Sequence, residues 1–199
     1  MLLVARHGET DWNKVGRLQG HTDTPLNERG RAQALELAGR LADEDLAWIV
    51  TSDLARAVET ADIVARALGV KAEIARDARL REQGFGELEG LHREEIVTRY
   101  ARDFGYGKFD YRVTPPGGET WPELVARVEA ATREVFDRLE LAQEGAPLPP
   151  KKTGLIVAHG GVLRALLSRF GVSGSEPRIV ANCELLRFVR EGDTIREVR

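Results

Sequence analysis

The chain alternates short apolar runs with longer segments whose apolar residues recur at helical spacing, and that alternation fixes its fold class. Met1–Ala5, Ala47–Val50 and Gly154–Ala158 are nearly continuous apolar runs of strand length, each ended by polar residues or glycine. Such runs read as strands covered on both faces. Between them lie amphipathic helices. Asn27 is a candidate N-cap for a helix over Glu28 to Leu41, with Ala34, Leu37, Ala38 and Leu41 on one face. Thr51-Ser52-Asp53 offers capping side chains to a helix carrying Leu54, Val58, Ala61, Val64 and Leu68, which Gly69 stops. Thr120 and Glu123 form a capping box ahead of Leu124, Val128, Val135 and Leu139, in a helix ending near Leu141. A further helix is expected over Val162 to Phe170. Ala72–Ala75 is a shorter candidate strand, and Leu185–Val189 with Thr194–Val198 reads as a terminal hairpin around Glu191-Gly192-Asp193.

Strands alternating with helices predict an α/β fold, a three-layer α/β/α sandwich around a mostly parallel central sheet. A length of 199 residues fits one domain spanning 1–199. Residues 81–118 are the longest irregular stretch, with several glycines, Pro115-Pro116 and helical pattern only over Arg93 to Arg102, so they are expected to form a lid or insertion. Glu144 to Thr153 reads as a surface loop.

With 29 Lys and Arg against 32 Asp and Glu, the net charge is -3, so the basic excess that nucleic acid or a membrane surface demands is absent. Cys183 is the one cysteine, which excludes a disulfide framework within the chain; it reads as a small buried hydrophobe. The N-terminus lacks a secretory pattern and no apolar run approaches the ~18 residues of a membrane span, so a cytoplasmic location is expected.

In open parallel sheets, ligands bind outside the carboxyl ends of the strands. The first strand delivers Arg6 and His7 there. The second delivers Arg56 in the first turn of the following helix, and the strand at 154–158 delivers His159. Two histidines with two arginines make a poor metal site, because guanidinium groups repel a cation and no metal-ligand spacing is present. The same set suits a phosphate dianion. Arginine forks match its oxygens, the amides of Gly160 and Gly161 lie at a helix start, and a neutral imidazole can attack phosphorus. His7 fits the nucleophile, with Arg6, Arg56 and His159 as the clamp and His159 acting best as the imidazolium. Glu82 lies in a loop near this edge. A phosphate beside it would favour a protonated carboxyl able to act as an acid, although residue type alone reads as a surface carboxylate paired with Arg81 or Arg79.

The residues resemble the histidine phosphatase superfamily, the phosphoglycerate-mutase-like group. The matching segments run through nearly the whole chain: Ala5-Arg6-His7-Gly8-Glu9-Thr10 with Trp12-Asn13; Arg17-Leu18-Gln19-Gly20; Asp23-Thr24-Pro25-Leu26-Asn27; Thr51-Ser52-Asp53-Leu54-Ala55-Arg56-Ala57; Glu82 with Phe85-Gly86-Glu87-Leu88-Glu89-Gly90; Pro116-Gly117-Gly118-Glu119-Thr120; and Val157-Ala158-His159-Gly160-Gly161. A lone Arg-His-Gly is weak, whereas the ordered series is specific. The resemblance implies a phosphohistidine on His7, phosphate ligands at Arg6, Arg56 and His159, and a proton donor at Glu82. It adds Asn13 as a phosphate contact and makes Gln19 and Gly20 substrate-loop candidates. It implies no cofactor and no metal, and a small-molecule phosphomonoester as partner. Similar proteins occur as monomers and as dimers or larger assemblies, so a homodimer is compatible with it. His21 and His92 lack placement at a strand end and read as structural.

Within the family the alternatives are a phosphatase and a cofactor-dependent phosphoglycerate mutase. Similar mutases place an arginine pair before the proline-rich segment. Here that stretch is Lys108-Phe109-Asp110-Tyr111-Arg112-Val113-Thr114-Pro115-Pro116 and the pair is missing, which favours the phosphatase. Glu87, Glu89 and Asp110 near the mouth are expected to repel a second anionic group, pointing to substrates with an uncharged or apolar leaving group. A non-catalytic binding module of the same fold is the remote third reading. Phe85, Phe104, Tyr106, Phe109 and Tyr111 either face the pocket or form a subdomain core.

Overall fold

The computed structural model describes residues 1–70, 74–100, 110–141, 153–171 and 179–198. Its six strands are β1 (Leu2–Arg6), β2 (Leu46–Thr51), β3 (Ile74–Arg76), β4 (Thr153–Ala158), β5 (Leu185–Glu191) and β6 (Thr194–Val198). Its helices are α1 (Asp11–Lys14), α2 (Glu28–Arg40), α3 (Ala55–Leu68), α4 (Arg93–Arg99), α5 (Trp121–Leu141) and α6 (Gly160–Phe170). The strands form one sheet in the order β3-β2-β4-β1-β5-β6. The first four are parallel, β5 runs antiparallel to β1, and β6 runs antiparallel to β5.

The two central strands explain their own sequences. Every residue of β4 and the first four of β1 are buried, because helices cover both faces. Side chains alternate between two cores. Leu3, Ala5, Ile49, Leu155 and Val157 pack with Leu37 and Ala38 of α2 and Ala57, Ala61 and Val64 of α3. Leu2, Val4, Val50, Ile156 and Ala158 pack with Leu124, Val128 and Val135 of α5 and Val162, Leu163 and Leu166 of α6. This is the expected three-layer sandwich.

A third, smaller core gathers Leu18, Phe85, Leu88 and Ile96, with Leu91, Tyr100, Tyr111 and Val113 against it. It gives the described part of 81–118 its own packing. Phe104, Tyr106 and Phe109, the helix extension to Arg102, the strand start at Ala72 and the loop from Glu144 to Lys152 lie outside the described residues. Thr153, read as loop, begins β4.

The local signals mostly held. Asn27 caps α2, its side chain accepting from the Gly30 amide at 2.8 Å, and Gly69 ends α3 in the left-handed conformation. One cap differs. α3 begins without a side-chain cap from its own N-cap residue. The Ala55 amide instead donates to Asp23 Oδ1 at 2.8 Å, a carboxylate brought in from the loop between α1 and α2. No described helix is long and apolar enough to cross a membrane.

Candidate active site

The site follows from strand register. β1 and β4 are parallel neighbours with Arg6 opposite Ala158, so the next residues, His7 and His159, leave the same edge side by side. The His7 amide donates to the Ala158 carbonyl at 2.9 Å. The two ring centroids lie 5.1 Å apart, close to the ~4.8 Å spacing of adjacent strands. The helices that next pack on the sheet, α2 after β1 and α6 after β4, lie on opposite faces. Their divergence opens the crevice between the strand ends, as the switch-point rule requires.

Close packing explains the glycine after His7. A Cβ on Gly8 would sit 2.4 Å from the Gly30 carbonyl oxygen, and one on Gly30 would sit 2.1 Å from Glu9 O. The loop therefore lies directly on the first turn of α2. Its Gly8 amide donates to Thr60 Oγ1 of α3 at 3.1 Å.

His7 is buried, and its Nδ1–H donates to the Gly8 carbonyl at 2.6 Å. A carbonyl can only accept, so the bond fixes the tautomer and leaves the Nε2 lone pair free. Burial, followed by the charges of Arg56 and Arg6, pushes His7 well below the ordinary histidine range. His159 is pushed down likewise, first by burial and then by Arg56, His7 and Arg6. Both rings are therefore neutral at neutral pH. The imidazolium expected at His159 is the form that a bound phosphate dianion would favour by opposing those arginines.

Arg56 is fully buried and donates to the carbonyls of Thr22 at 3.0 Å and Gly20 at 2.8 Å. Burial lowers it to about 10, so it stays cationic at neutral pH. Arg6 donates through Nη1 to Val180 O at 2.6 Å, and burial lowers it too. The Nε atoms of both arginines and both ring nitrogens of His159 are buried without a hydrogen-bond partner among the described residues. Such orphans converging on one place are what the oxygens of a tetrahedral anion would satisfy.

Glu82 lines the same pocket. It does not pair with Arg79 or Arg81, which hold Asp77 with Glu134 and Asp53 respectively. Its carboxylate accepts from the Gly161 amide at 2.9 and 3.1 Å and from the Gln83 amide at 2.9 Å. The Gly161 amide, expected to face an anion, is thus engaged by the Glu82 carboxylate. Arg127 anchors the loop behind Glu82. It donates to the carbonyls of Arg79, Arg81 and Glu82 at 2.6, 2.8 and 2.9 Å, and it pairs with Glu119. His21 adds a bond from Nε2 to Glu82 O at 2.9 Å. His92 is structural, its Nδ1 donating to Val15 O at 3.0 Å.

The remaining sequence candidates also reach the pocket. Asn13, Gln19, Gly20 and Gly160 line it with Arg6, His7, Arg56 and Glu82. Asn13 Oδ1 accepts from the Thr10 amide at 3.3 Å and from Asn182 Nδ2 at 3.3 Å, which turns its Nδ2 away from both. Gln19 Oε1 accepts from the hydroxyls of Thr10 and Thr24. Gly20 contributes its carbonyl to Arg56 and adopts φ 54°, where a Cβ would strike Glu89.

Sequence reasoning missed Asn182, which also donates to His7 O at 3.0 Å. It missed the roles of Arg17, Arg93 and Arg164, which line the pocket with Tyr111. Among the described residues the three carboxylates expected at the mouth do not line the pocket. Asp110 pairs with Arg112, and Glu89 binds the amides of His21, Thr22 and Phe85. Glu87 is exposed away from the lining. Among the described residues no group of three or more His, Cys, Asp or Glu is placed to hold a metal ion.

Residues 2–199 match the family model described as histidine phosphatase superfamily (branch 1). The chain belongs to this superfamily. It is 35% identical over 191 residues to phosphoglycerate mutase-like protein 4 of Arabidopsis thaliana, covering 94% of this chain and 78% of the relative. Its fold is similar to mycobacterial glucosyl-3-phosphoglycerate phosphatase complexed with VO3, at 30% identity and a TM-score of 0.80, covering 99% of this chain and 95% of that one. It is also similar to the alpha-ribazole phosphatase of Shigella flexneri, at 26% identity and a TM-score of 0.79, covering 99% and 94%. The protein is accordingly an enzyme of the histidine phosphatase type.

Proposed function

We propose that the protein hydrolyses small-molecule phosphate monoesters through a phosphoryl group carried on His7, with Glu82 as proton donor. The observation that carries this reading is the tautomer of His7. Its Nδ1–H is committed to the Gly8 carbonyl at 2.6 Å, so Nε2 presents its lone pair where Arg6, Arg56 and His159 hold unpartnered donors.

In the first step Nε2 attacks phosphorus, and the N–P bond forms as the bond to the ester oxygen breaks. Glu82 gives its proton to the departing oxygen. Oε1 accepts two amide bonds and Oε2 one, so Oε2 is the better placed to carry that proton. The bond to Gly8 O supports the charge that develops on the ring. In the second step the Glu82 carboxylate takes a proton from water, which attacks phosphorus. The N–P bond breaks, the electron pair returns to Nε2, and inorganic phosphate leaves. Arg6, Arg56 and the Asn13 amide would meet the phosphoryl oxygens. The positions of Phe85 and Tyr111 in the pocket wall support the reading of 81–118 as a covering insertion.

The second reading is a cofactor-dependent phosphoglycerate mutase, which returns the phosphoryl group to a bound acceptor. The cationic outer wall formed by Arg17, Arg93 and Arg164, in place of the acidic mouth expected from sequence, favours it. Phosphate release from a panel of phosphomonoesters, with and without 2,3-bisphosphoglycerate, separates the two. The covalent route is tested by trapping an acid-labile phosphoryl label on the protein. His7→Ala should abolish both label and turnover, and appreciable turnover in that variant would remove His7 as carrier. No label from any ester would favour the non-catalytic module.

A further inference from the structure

The His7 ring is aimed by the main chain just beyond it. The Gly8 carbonyl takes the Nδ1 proton at 2.6 Å, and that bond decides which ring nitrogen is left to attack. A peptide unit is planar and trans, so the Gly8 C=O and the Glu9 N–H share one plane and point in opposite directions. Whatever holds the Glu9 amide therefore aims the Gly8 carbonyl. The holder is Gln33 of α2, whose Oε1 accepts from the Glu9 amide at 2.9 Å. A backbone amide can only donate, which fixes the Gln33 side chain with its oxygen toward Glu9.

The other side of Gly8 is held from α3. The Gly8 amide donates to Thr60 Oγ1 at 3.1 Å, and the Thr60 hydroxyl donates onward to the Arg56 carbonyl at 2.7 Å. Thr60 is fully buried. Its hydroxyl thus joins the loop of the nucleophile to the backbone of the phosphate-facing arginine. The Glu9 carbonyl accepts from the Asn27 amide at 3.0 Å, so every main-chain polar group of Gly8 and Glu9 is engaged. α2 and α3 pack on the sheet through Leu37, Ala38, Ala57, Ala61 and Val64, so that contact does not depend on Gln33 or Thr60.

We propose that Gln33 and Thr60 are positioning residues for the nucleophile, aiming the Gly8 carbonyl at Nδ1 so that His7 keeps its Nε2 lone pair toward the phosphoryl site. The inference rests on the phosphatase reading above and names what orients its nucleophile. With the Glu9 amide released, the peptide plane can turn about a glycine that has no Cβ to resist it. The Nδ1 proton then loses its acceptor, and the ring takes the tautomer with its proton on Nε2, which has no lone pair there to offer phosphorus. A hydrogen-bonded amide also polarises its own carbonyl. Gln33 thereby strengthens the bond that supports the ring's positive charge while the N–P bond exists.

The test pairs a variant that removes each acceptor with one that keeps it: Gln33→Leu with Gln33→Glu, and Thr60→Val with Thr60→Ser. The protein is labelled with 15N-histidine, and the His7 ring signals are assigned by their loss in His7→Ala. Long-range proton–nitrogen correlation at neutral pH should show wild-type His7 protonated on Nδ1 alone. Gln33→Leu and Thr60→Val should each show a population protonated on Nε2. Each should also lower kcat on glycerol 3-phosphate about 10-fold, with KM little changed, the scale for a buried amide left without its acceptor. Gln33→Glu and Thr60→Ser should stay within a few-fold of wild type. Gln33 is only half-buried, so Gln33→Leu carries the test if loss of the buried hydroxyl lowers the melting temperature of Thr60→Val. An unchanged tautomer and unchanged kcat in Gln33→Leu, or a wild-type His7 protonated on Nε2, overturns the inference. A phosphoryl label on His7 in the wild type leaves the phosphatase reading standing in either case. Absence of phosphate release and of label from every ester overturns that reading and this inference with it.

Discussion

Gly161 tests whether Glu82 is the acid, and does so without touching an ionisable group. Its amide holds both oxygens of the Glu82 carboxylate, and its missing side chain leaves the room that carboxylate fills. A methyl placed there would lie 2.0 Å from Oε1 and 3.2 Å from Cδ. Relief to an ordinary carbon–oxygen contact near 3.3 Å requires the carboxylate to retreat by about 1.3 Å. A displacement of that order costs about 100-fold in rate when the displaced group acts on the reacting atoms. Complete loss of a general acid costs about 100- to 10,000-fold. Gly161→Ala should therefore lower kcat/KM about 100-fold or more, some 3 kcal/mol, on alkyl phosphates. On p-nitrophenyl phosphate, whose leaving group hardly needs a proton, the loss should be several-fold at most. Stability should change little, because alanine is favoured over glycine within a helix by up to about 1 kcal/mol and the weakened amide bond is worth about as much. Steady-state rates on both substrates, with a thermal melt as control, decide the matter. Equal losses on both esters, with the melt unchanged, would show that Glu82 holds the phosphoryl group in place and donates no proton to the leaving oxygen.

Two other expectations follow from burial. His7 and His159 are held below the ordinary histidine range by burial first and then by Arg56, so the unfolded chain binds protons that the native state refuses. Stability should fall as pH drops below about 6.5, by up to about 1.4 kcal/mol per pH unit for each histidine, until their native values are reached. Asp53, lowered chiefly by its bond to Arg81, acts only below about pH 4 and leaves that window clear. Urea midpoints at pH 7.5 and 5.5 check this, and equal midpoints would contradict it. Cys183 is buried and its thiol is pushed up to about 12 by that burial. About one thiol in ten thousand is then ionised at pH 8, so iodoacetamide should label the native protein only as it opens in denaturant, and prompt native labelling would refute the placement.

What the sequence made legible was what is encoded locally or by register. The strands over Leu2–Ala5 and Gly154–Ala158 declare themselves by unbroken apolar runs, the α2 cap by Asn27, and the end of α3 by Gly69. Once two parallel strands are placed side by side, His7 and His159 must meet. The cap of α3 was not legible, because Asp23 arrives from a loop more than 30 residues upstream. Nor was the character of the mouth. Glu89 and Asp110 looked like free acids in sequence, yet one is engaged by backbone amides and the other by Arg112. Arg17, Arg93 and Arg164 come from three separate segments with no shared spacing, and only the folded chain gathers them.

The way Arg6 and Arg56 are held bears on why this pocket favours an anion. Arg56 is fully buried and Arg6 half-buried, and burial of a cation normally demands a carboxylate partner. Here their Nη groups are met by the carbonyls of Val180, Thr22 and Gly20. A carbonyl fixes a guanidinium in direction and leaves its charge intact. The cost is visible in Arg56, lowered to about 10 by burial in spite of Glu82 nearby. A carboxylate in place of those carbonyls would relieve that cost and would also occupy the charge that a phosphoryl group needs. The site thus gives up stability to keep oriented, uncompensated charge where charge develops in phosphoryl transfer.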